Sequence, residues 1–119
     1  MNAPLTPLEQ RIVSLVARRA AQQPAAIGVW VFGSRARGDS DEDSDLDLAV
    51  EFSSVETAAL RQWLEHVRQK VEGAVLDDQW PGLLDLVGLY PNDVDPRLTR
   101  QVRVEGELAW QREPATACA

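Results

Sequence analysis

Two short apolar runs constrain the fold more than any other feature of the chain: AIGVWVF (26–32) and DLDLAVEF (45–52). Both are rich in β-branched, aromatic and aliphatic residues, and the first is apolar on both faces, which predicts buried β-strands. A loop dense in Arg, Asp and Ser separates the two runs. A buried sheet needs helices to cover it, so the elements around these runs decide the architecture.

Helical patterns flank the predicted strands. Thr6 and Glu9 form a capping box that begins a first helix, and Pro24 ends this helix near Gln22. A second capping box at 53–56 is expected to begin another helix. The predicted inner stripe of that helix consists of Val55, Ala59, Trp63, Val67 and Val71.

Three further elements follow along the chain. GLLDLVGLY (82–90) is predicted to be a third strand, and Asp95-Pro96 is predicted to begin a short helix that runs through about Val104. GELAW (106–110) is either a last strand or an extended end. The order helix, strand, strand, helix, strand, helix predicts an α/β sandwich with one mostly buried sheet.

Length and composition favour one small domain. We expect this domain to span residues 1–111, with a Pro- and Ala-rich disordered tail at 112–119. No apolar stretch approaches the ~20 residues that span a bilayer, and the N-terminus lacks a secretory signal, so we expect a cytoplasmic protein without membrane contact. The single cysteine, Cys118, excludes a disulfide framework. A formal net charge of −7 argues against binding along a nucleic-acid backbone.

Two carboxylates open the second strand. Asp45 and Asp47 are two residues apart, and side chains at that spacing project from the same face of a strand, whereas Leu46 projects from the other face. Adjacent carboxylates repel each other, and burial raises the cost of ionising both. A hard divalent cation such as Mg²⁺ compensates this charge, because it takes oxygen ligands and leaves positions open for phosphate and water.

The turn after the first strand supplies complementary groups. Gly33 permits backbone torsions and close approaches that other residues do not allow. Backbone N–H groups of this turn and the Ser34 hydroxyl are suited to bind phosphate oxygens, and Arg37 adds a charged donor. A phosphate-binding turn opposite a metal site predicts phosphoryl-transfer chemistry on a nucleotide.

A third carboxylate is expected to complete the site. Asp85 is the only charged residue within the apolar run of the third strand, and an unpaired charge in a buried strand is costly. Beside the strand that carries Asp45 and Asp47, Asp85 would share the metal and accept a proton from an attacking hydroxyl. The alternatives are that Asp85 is an edge-strand residue facing water, and that Asp77 or Asp78 is the third acid.

The combination of turn, spacing and acidic pair resembles a known family. Gly33-Ser34, followed after ten residues by the DLD motif at 45–47, is similar to the GS-x10-DxD signature of the DNA polymerase β-like nucleotidyltransferases. Within that superfamily, FGSRARGDSDEDSDLDLAV resembles the minimal nucleotidyltransferases. LLDLV resembles the segment with their third acidic residue, and LTRQVRVEGELAW resembles their last helix and strand. The likeness covers most of residues 8–110.

This resemblance implies a nucleotidyltransferase fold of the α+β type, with a short mixed β-sheet packed against helices. It implies that Asp45 and Asp47 bind two Mg²⁺ ions, and that Asp85 is a ligand of one of these ions and helps to activate the nucleophile. Gly33 and Ser34 would hold the β- and γ-phosphates of the substrate ATP. The implied reaction is attack of an acceptor hydroxyl on the α-phosphate, with release of pyrophosphate.

The resemblance also implies a protein partner. Such minimal proteins are commonly antitoxins encoded beside a HEPN-domain protein, and some transfer AMP onto a tyrosine of that HEPN ribonuclease. Larger members carry an extra substrate-binding domain, for which we expect no room here, so the acceptor surface is expected from a partner or a second copy of the chain. Two alternatives stay open: an antitoxin that neutralises its toxin by binding alone, and an aminoglycoside-type enzyme that modifies a small molecule.

Overall fold

The computed structural model describes residues 5–33, 46–75, 84–91 and 97–113. Within those residues the strands are β1 (Ala26–Phe32), β2 (Leu46–Phe52), β3 (Leu84–Leu89) and β4 (Glu107–Gln111). The helices are α1 (Pro7–Ala21), α2 (Ala58–Ala74) and α3 (Arg97–Glu105). Each element predicted from the sequence has a counterpart here, and the segment left open at 106–110 forms a strand.

The four strands form one mixed sheet in the order β3-β2-β1-β4. β1 is antiparallel to β2 and to β4, whereas β2 and β3 are parallel, with α2 between them in the chain. The predicted α/β (α+β) fold, a short mixed sheet packed against helices, is therefore confirmed. Among the described helices, none combines the length and the apolar composition that a bilayer span requires.

The alternation of side chains along the strands gives the sheet two different faces. The first, which we call the helical face, packs against α1 and α2, and its buried side chains include Val29, Val31, Leu48 and Val50. The second, which we call the α3 face, is covered in part by α3, and its buried cluster consists of Phe32, Ala49, Leu89 and Val102. Because Leu46 and Leu48 point into the helical face, Asp47 between them lies on the α3 face.

The start of α1 agrees with the predicted capping box. Thr6 Oγ1 accepts a hydrogen bond from the Glu9 N–H at 3.1 Å, and the Glu9 carboxylate accepts one from the Thr6 N–H at 2.9 Å. These reciprocal bonds satisfy amide groups that have no partner within the helix. The helix ends at Ala21, with Gln22 as its C-cap, as expected two residues before Pro24.

The start of α2 differs from the prediction. Its N-cap is Thr57, whose hydroxyl accepts a hydrogen bond from the Leu60 N–H at 3.1 Å, so the predicted capping box at 53–56 is wrong. The predicted stripe is also wrong in part, since Val55 and Ala59 are exposed and Trp63 is half-buried. A stripe built only from i+4 steps drifts around a helix of 3.6 residues per turn. The buried side chains alternate steps of four and three: Leu60, Leu64, Val67 and Val71.

The described part of the chain continues to residue 113, past Gln111, the predicted end of the domain. Arg112 Nε donates a hydrogen bond to the Ala26 carbonyl at 2.9 Å, and its guanidinium lies 5.4 Å from the centre of the Trp110 ring. Arg112 Nη2 donates to carbonyls around the end of α1, those of Ala20, Ala21 and Gln23, at 3.1, 3.2 and 3.0 Å. Carbonyls at a helix end have no partner within the helix. Arg112 therefore joins β4 to the end of α1 and belongs to the domain, while residues 114–119 lie outside the described part.

Replacing Arg112 by alanine is expected to lower the free energy of unfolding by about 2–3 kcal/mol, because its charge-assisted hydrogen bonds to backbone carbonyls are lost. Urea unfolding followed by circular dichroism measures this difference. The matched control is Arg61→Ala, which removes an exposed guanidinium of α2 and should change stability by less than about 0.5 kcal/mol. Equal stability of the two variants would show that the Arg112 bonds do not stabilise the fold.

Candidate active site

The parallel pairing of β2 with β3 places two of the predicted carboxylates side by side. Asp47 of β2 is the register partner of Asp85 of β3, and hydrogen-bonded strands lie about 4.8 Å apart. Both residues lie on the α3 face, because their neighbours Leu46 and Leu84 belong to the core of the helical face. The fold thus brings Asp47 and Asp85 together at the start of two parallel strands.

The two carboxylates differ in their exposure. Asp47 is half-buried, whereas Asp85 is exposed. Among the described strands β3 pairs on one side only, and it is fully buried only at Leu84 and Leu89, so the expectation of a strand buried along its length is wrong. Exposure is also what the alternative interpretation, an edge-strand aspartate facing water, predicts. Asp85 is a candidate site residue because it is the register partner of Asp47. The argument from the energetic cost of burying its charge does not apply, because its side chain is exposed.

The glycine of the predicted phosphate-binding turn lies against Asp47. Gly33 follows Phe32, the register partner of Asp47, and has a φ of +73°, in the left-handed region that favours glycine. A Cβ at this position would lie 3.0 Å from Asp47 Cγ and would overlap a carboxylate oxygen. The absence of a side chain at Gly33 therefore allows the Asp47 carboxylate to contact the turn directly.

The other predicted site residues lie outside the described part of the chain; they are Ser34, Arg37 and Asp45, and the rival acids Asp77 and Asp78 lie outside it as well. Their place in the site rests on the sequence alone. Ser34 follows Gly33 directly, and Asp45 precedes Asp47 by two residues. The described residues therefore contain two of the three predicted carboxylates and the glycine of the predicted turn.

Asp47 and Asp85 fit a hard divalent cation by their chemistry. Both supply carboxylate oxygens, the ligands that Mg²⁺ prefers, and one or two carboxylates together with phosphate oxygens and water are enough to bind it. Within the described ranges no three Asp, Glu, His or Cys side chains are grouped for a metal ion. A third protein ligand would have to come from outside those ranges, and Asp45 is the residue that the sequence predicts.

A polar cluster that the sequence reasoning missed fixes α3 against the sheet. Glu51 lies on the same face of β2 as Asp47 and accepts a hydrogen bond from Trp30 Nε1 at 3.0 Å. Arg103 of α3 donates from Nη2 to Glu51 Oε2 at 2.6 Å. Trp30 belongs to the run that was predicted to be a buried strand, but its side chain is half-buried. The sequence feature that could have predicted this cluster is the four-residue spacing of Asp47 and Glu51, which places both side chains on one face of a strand.

Comparison with known proteins places this fold in a family. A model of the polymerase β nucleotidyltransferase domain matches residues 16–115, which is most of the chain. The chain belongs to this family. The nucleotidyltransferase predicted from the Gly-Ser turn and the acidic motif is therefore confirmed. Among curated protein sequences none matches this nucleotidyltransferase.

Solved structures share the fold of this nucleotidyltransferase. A protein described as a minimal nucleotidyltransferase matches at 32% identity with a TM-score of 0.53, over 83% of this chain and 86% of the other. A toxin–antitoxin structure with AMP-PNP matches at 26% identity with a TM-score of 0.62, over 88% of this chain and 74% of the other. A mutant MntA–HpeT toxin–antitoxin structure shares the fold at 24% identity with a TM-score of 0.61, over the same fractions. The resemblance to minimal nucleotidyltransferases is thereby confirmed.

Proposed function

We propose that this nucleotidyltransferase transfers AMP from ATP to a hydroxyl group of a HEPN ribonuclease toxin, and that this hydroxyl belongs to a tyrosine. By modifying the toxin, the nucleotidyltransferase acts as its antitoxin. The observation that carries the proposal is that Asp47 contacts Gly33 and is also the register partner of Asp85 on the neighbouring strand. The partner and the nucleotide are supported by the structural neighbour with AMP-PNP, which is itself a toxin–antitoxin structure.

The three carboxylates share one role in this proposal, and Asp85 has a second. Asp45, Asp47 and Asp85 would hold Mg²⁺, which when bound supplies positive charge that offsets the charge of the phosphate oxygens. Asp47 lies against the Gly33 turn, so the carboxylates are next to the groups that bind phosphate. Asp85 is exposed and accepts the proton of the acceptor hydroxyl.

The chemical step is a displacement at phosphorus. The oxygen of the acceptor hydroxyl forms a bond to the α-phosphorus of ATP, and the bond from that phosphorus to the α–β bridging oxygen breaks. Pyrophosphate leaves with the electron pair of the broken bond, and the hydroxyl proton goes to Asp85. Gly33, Ser34 and Arg37 bind the β- and γ-phosphates, which stabilises the charge that develops on the leaving pyrophosphate.

An RNA-cleavage assay separates neutralisation by catalysis from neutralisation by binding. The HEPN toxin is incubated with Mg²⁺, ATP and either the wild type or the Asp45→Ala/Asp47→Ala variant, the antitoxin is removed, and the toxin is assayed. We expect the toxin to stay silent after the wild type and to be active after the variant, because only the wild type adds a covalent group. Inhibition of the toxin by both proteins while they are present, followed by full toxin activity once either is removed, would support an antitoxin that acts by binding alone. Modification of an aminoglycoside by the chain without the toxin would instead identify a small-molecule enzyme.

A further inference from the structure

The outward side of α3 and the start of β4 carry an exposed patch of apolar and basic residues. We call it the α3 patch and define it as Arg97, Arg100, Gln101, Val104 and Leu108. Val104 is 78% exposed and Leu108 is 44% exposed, and Arg97, Arg100 and Gln101 are exposed as well. An open depression of about 290 Å³ is lined by the α3 residues Arg97, Arg100, Gln101, Val104 and Glu105. Exposed apolar side chains beside arginines are typical of protein-binding surfaces.

The charge of α3 contrasts with that of the whole chain. The helix has three arginines and one glutamate, whereas the chain carries a net charge of −7. Arg103 pairs with Glu51 of the sheet. Arg100 lies on the opposite side of α3 from the fully buried Val102, since positions two apart in a helix differ by about 200°. A complementary partner surface would therefore carry carboxylates around an apolar contact.

The α3 patch lies close to the candidate active site. Val104 and Leu108 stand two residues to either side of Gly106, the turn between α3 and β4. A Cβ at Gly106 would lie 2.9 Å from the Val31 carbonyl oxygen, so this turn rests on β1 two residues before Gly33. A protein bound at the patch would have part of its surface near the turn that contacts Asp47.

We propose that the α3 patch is the docking surface for the acceptor protein of the AMP transfer, and that this protein contributes an apolar contact bordered by Asp and Glu side chains. The inference rests on the proposed function, because a protein acceptor needs a binding surface beyond the catalytic groups. Val104 and Leu108 supply the apolar contact, and Arg100 supplies the charge complementarity.

The test measures the Kd of the HEPN acceptor for the wild type and two variants by isothermal titration calorimetry at low and high salt. We expect the Kd to rise about tenfold in Arg100→Glu and at least about threefold in Val104→Gln. Salt should weaken binding of the wild type more than binding of Arg100→Glu, because the variant has lost part of the attraction that salt screens. Arg61→Glu makes the same charge change at an exposed site of α2, on the helical side of the sheet, and should leave the Kd unchanged.

Retained affinity of both patch variants would overturn the docking proposal. The proposal would also be overturned if these substitutions abolished self-association or RNA binding of the chain while leaving the acceptor Kd unchanged. If the wild type transfers AMP but the patch variants do not change the Kd, the proposed function is supported and the docking proposal is wrong. Weakened binding of the variants without AMP transfer by the wild type would support the docking surface and contradict the proposed reaction.

Discussion

Asp47→Asn is expected to lower the rate of AMP transfer by about a hundred- to a thousandfold, the cost of removing one group that stabilises charge in a transition state. Asparagine keeps the size of the side chain but removes the negative charge that a metal ligand needs. Asp47 is half-buried, and the free energy of unfolding should change by less than about 1 kcal/mol. The fall in rate would then reflect lost chemistry and not a lost fold.

The measurement is pyrophosphate release in the presence of Mg²⁺, ATP and the HEPN acceptor. Glu107→Gln is the matched control, because Glu107 is an exposed carboxylate whose register partner is Val31, at the same end of the sheet but on β4. We expect its rate to equal that of the wild type. If Asp47→Asn released pyrophosphate at a rate close to that of Glu107→Gln, Asp47 would not be a catalytic residue.

Gly33→Ala is expected to reduce AMP transfer as severely as Asp47→Asn and, unlike it, to destabilise the fold. The left-handed conformation costs a residue with a Cβ about 1–2 kcal/mol, and this Cβ would overlap the Asp47 carboxylate. The carboxylate would have to move away from the turn. Pyrophosphate release and urea unfolding measure the two effects separately.

Gly73→Ala is the matched control for the glycine variant. Gly73 lies within α2, and a Cβ there would meet nothing within 4 Å. Alanine at an unhindered position within a helix should raise stability by about 0.5–1 kcal/mol and leave AMP transfer unchanged. Full activity of Gly33→Ala would show that the contact between the turn and Asp47 is not needed for catalysis.

The parts of the site that could be predicted follow from local patterns. The runs at 26–32 and 45–52 have the composition of buried strands, and period-two alternation places Asp47 on the face opposite Leu46 and Leu48. A helix between two strands favours a parallel pair, which aligns their first residues. The register of Asp47 with Asp85 agrees with that reasoning.

The parts that could not be predicted depend on contacts between distant segments. The exposure of Asp85 follows from the position of β3 at the edge of the described sheet. The order of strands in a sheet cannot be predicted from the sequence of one strand. Arg112 reaches carbonyls about ninety residues earlier in the chain, and Arg103 meets Glu51 across the α3 face. Ser53 and Thr57 are both suited to cap a helix, so tertiary packing of Leu60 and Leu64 decides between them.

The intact mass of the HEPN protein tests the central claim most directly. The proposed HEPN acceptor is incubated with the wild-type nucleotidyltransferase, Mg²⁺ and ATP, and a parallel sample contains Asp47→Asn. A gain of one or more AMP masses with the wild type, located on a tyrosine by peptide mapping and absent with Asp47→Asn, is the result that we predict. An unchanged mass with the wild type, or an equal gain with Asp47→Asn, would contradict the account.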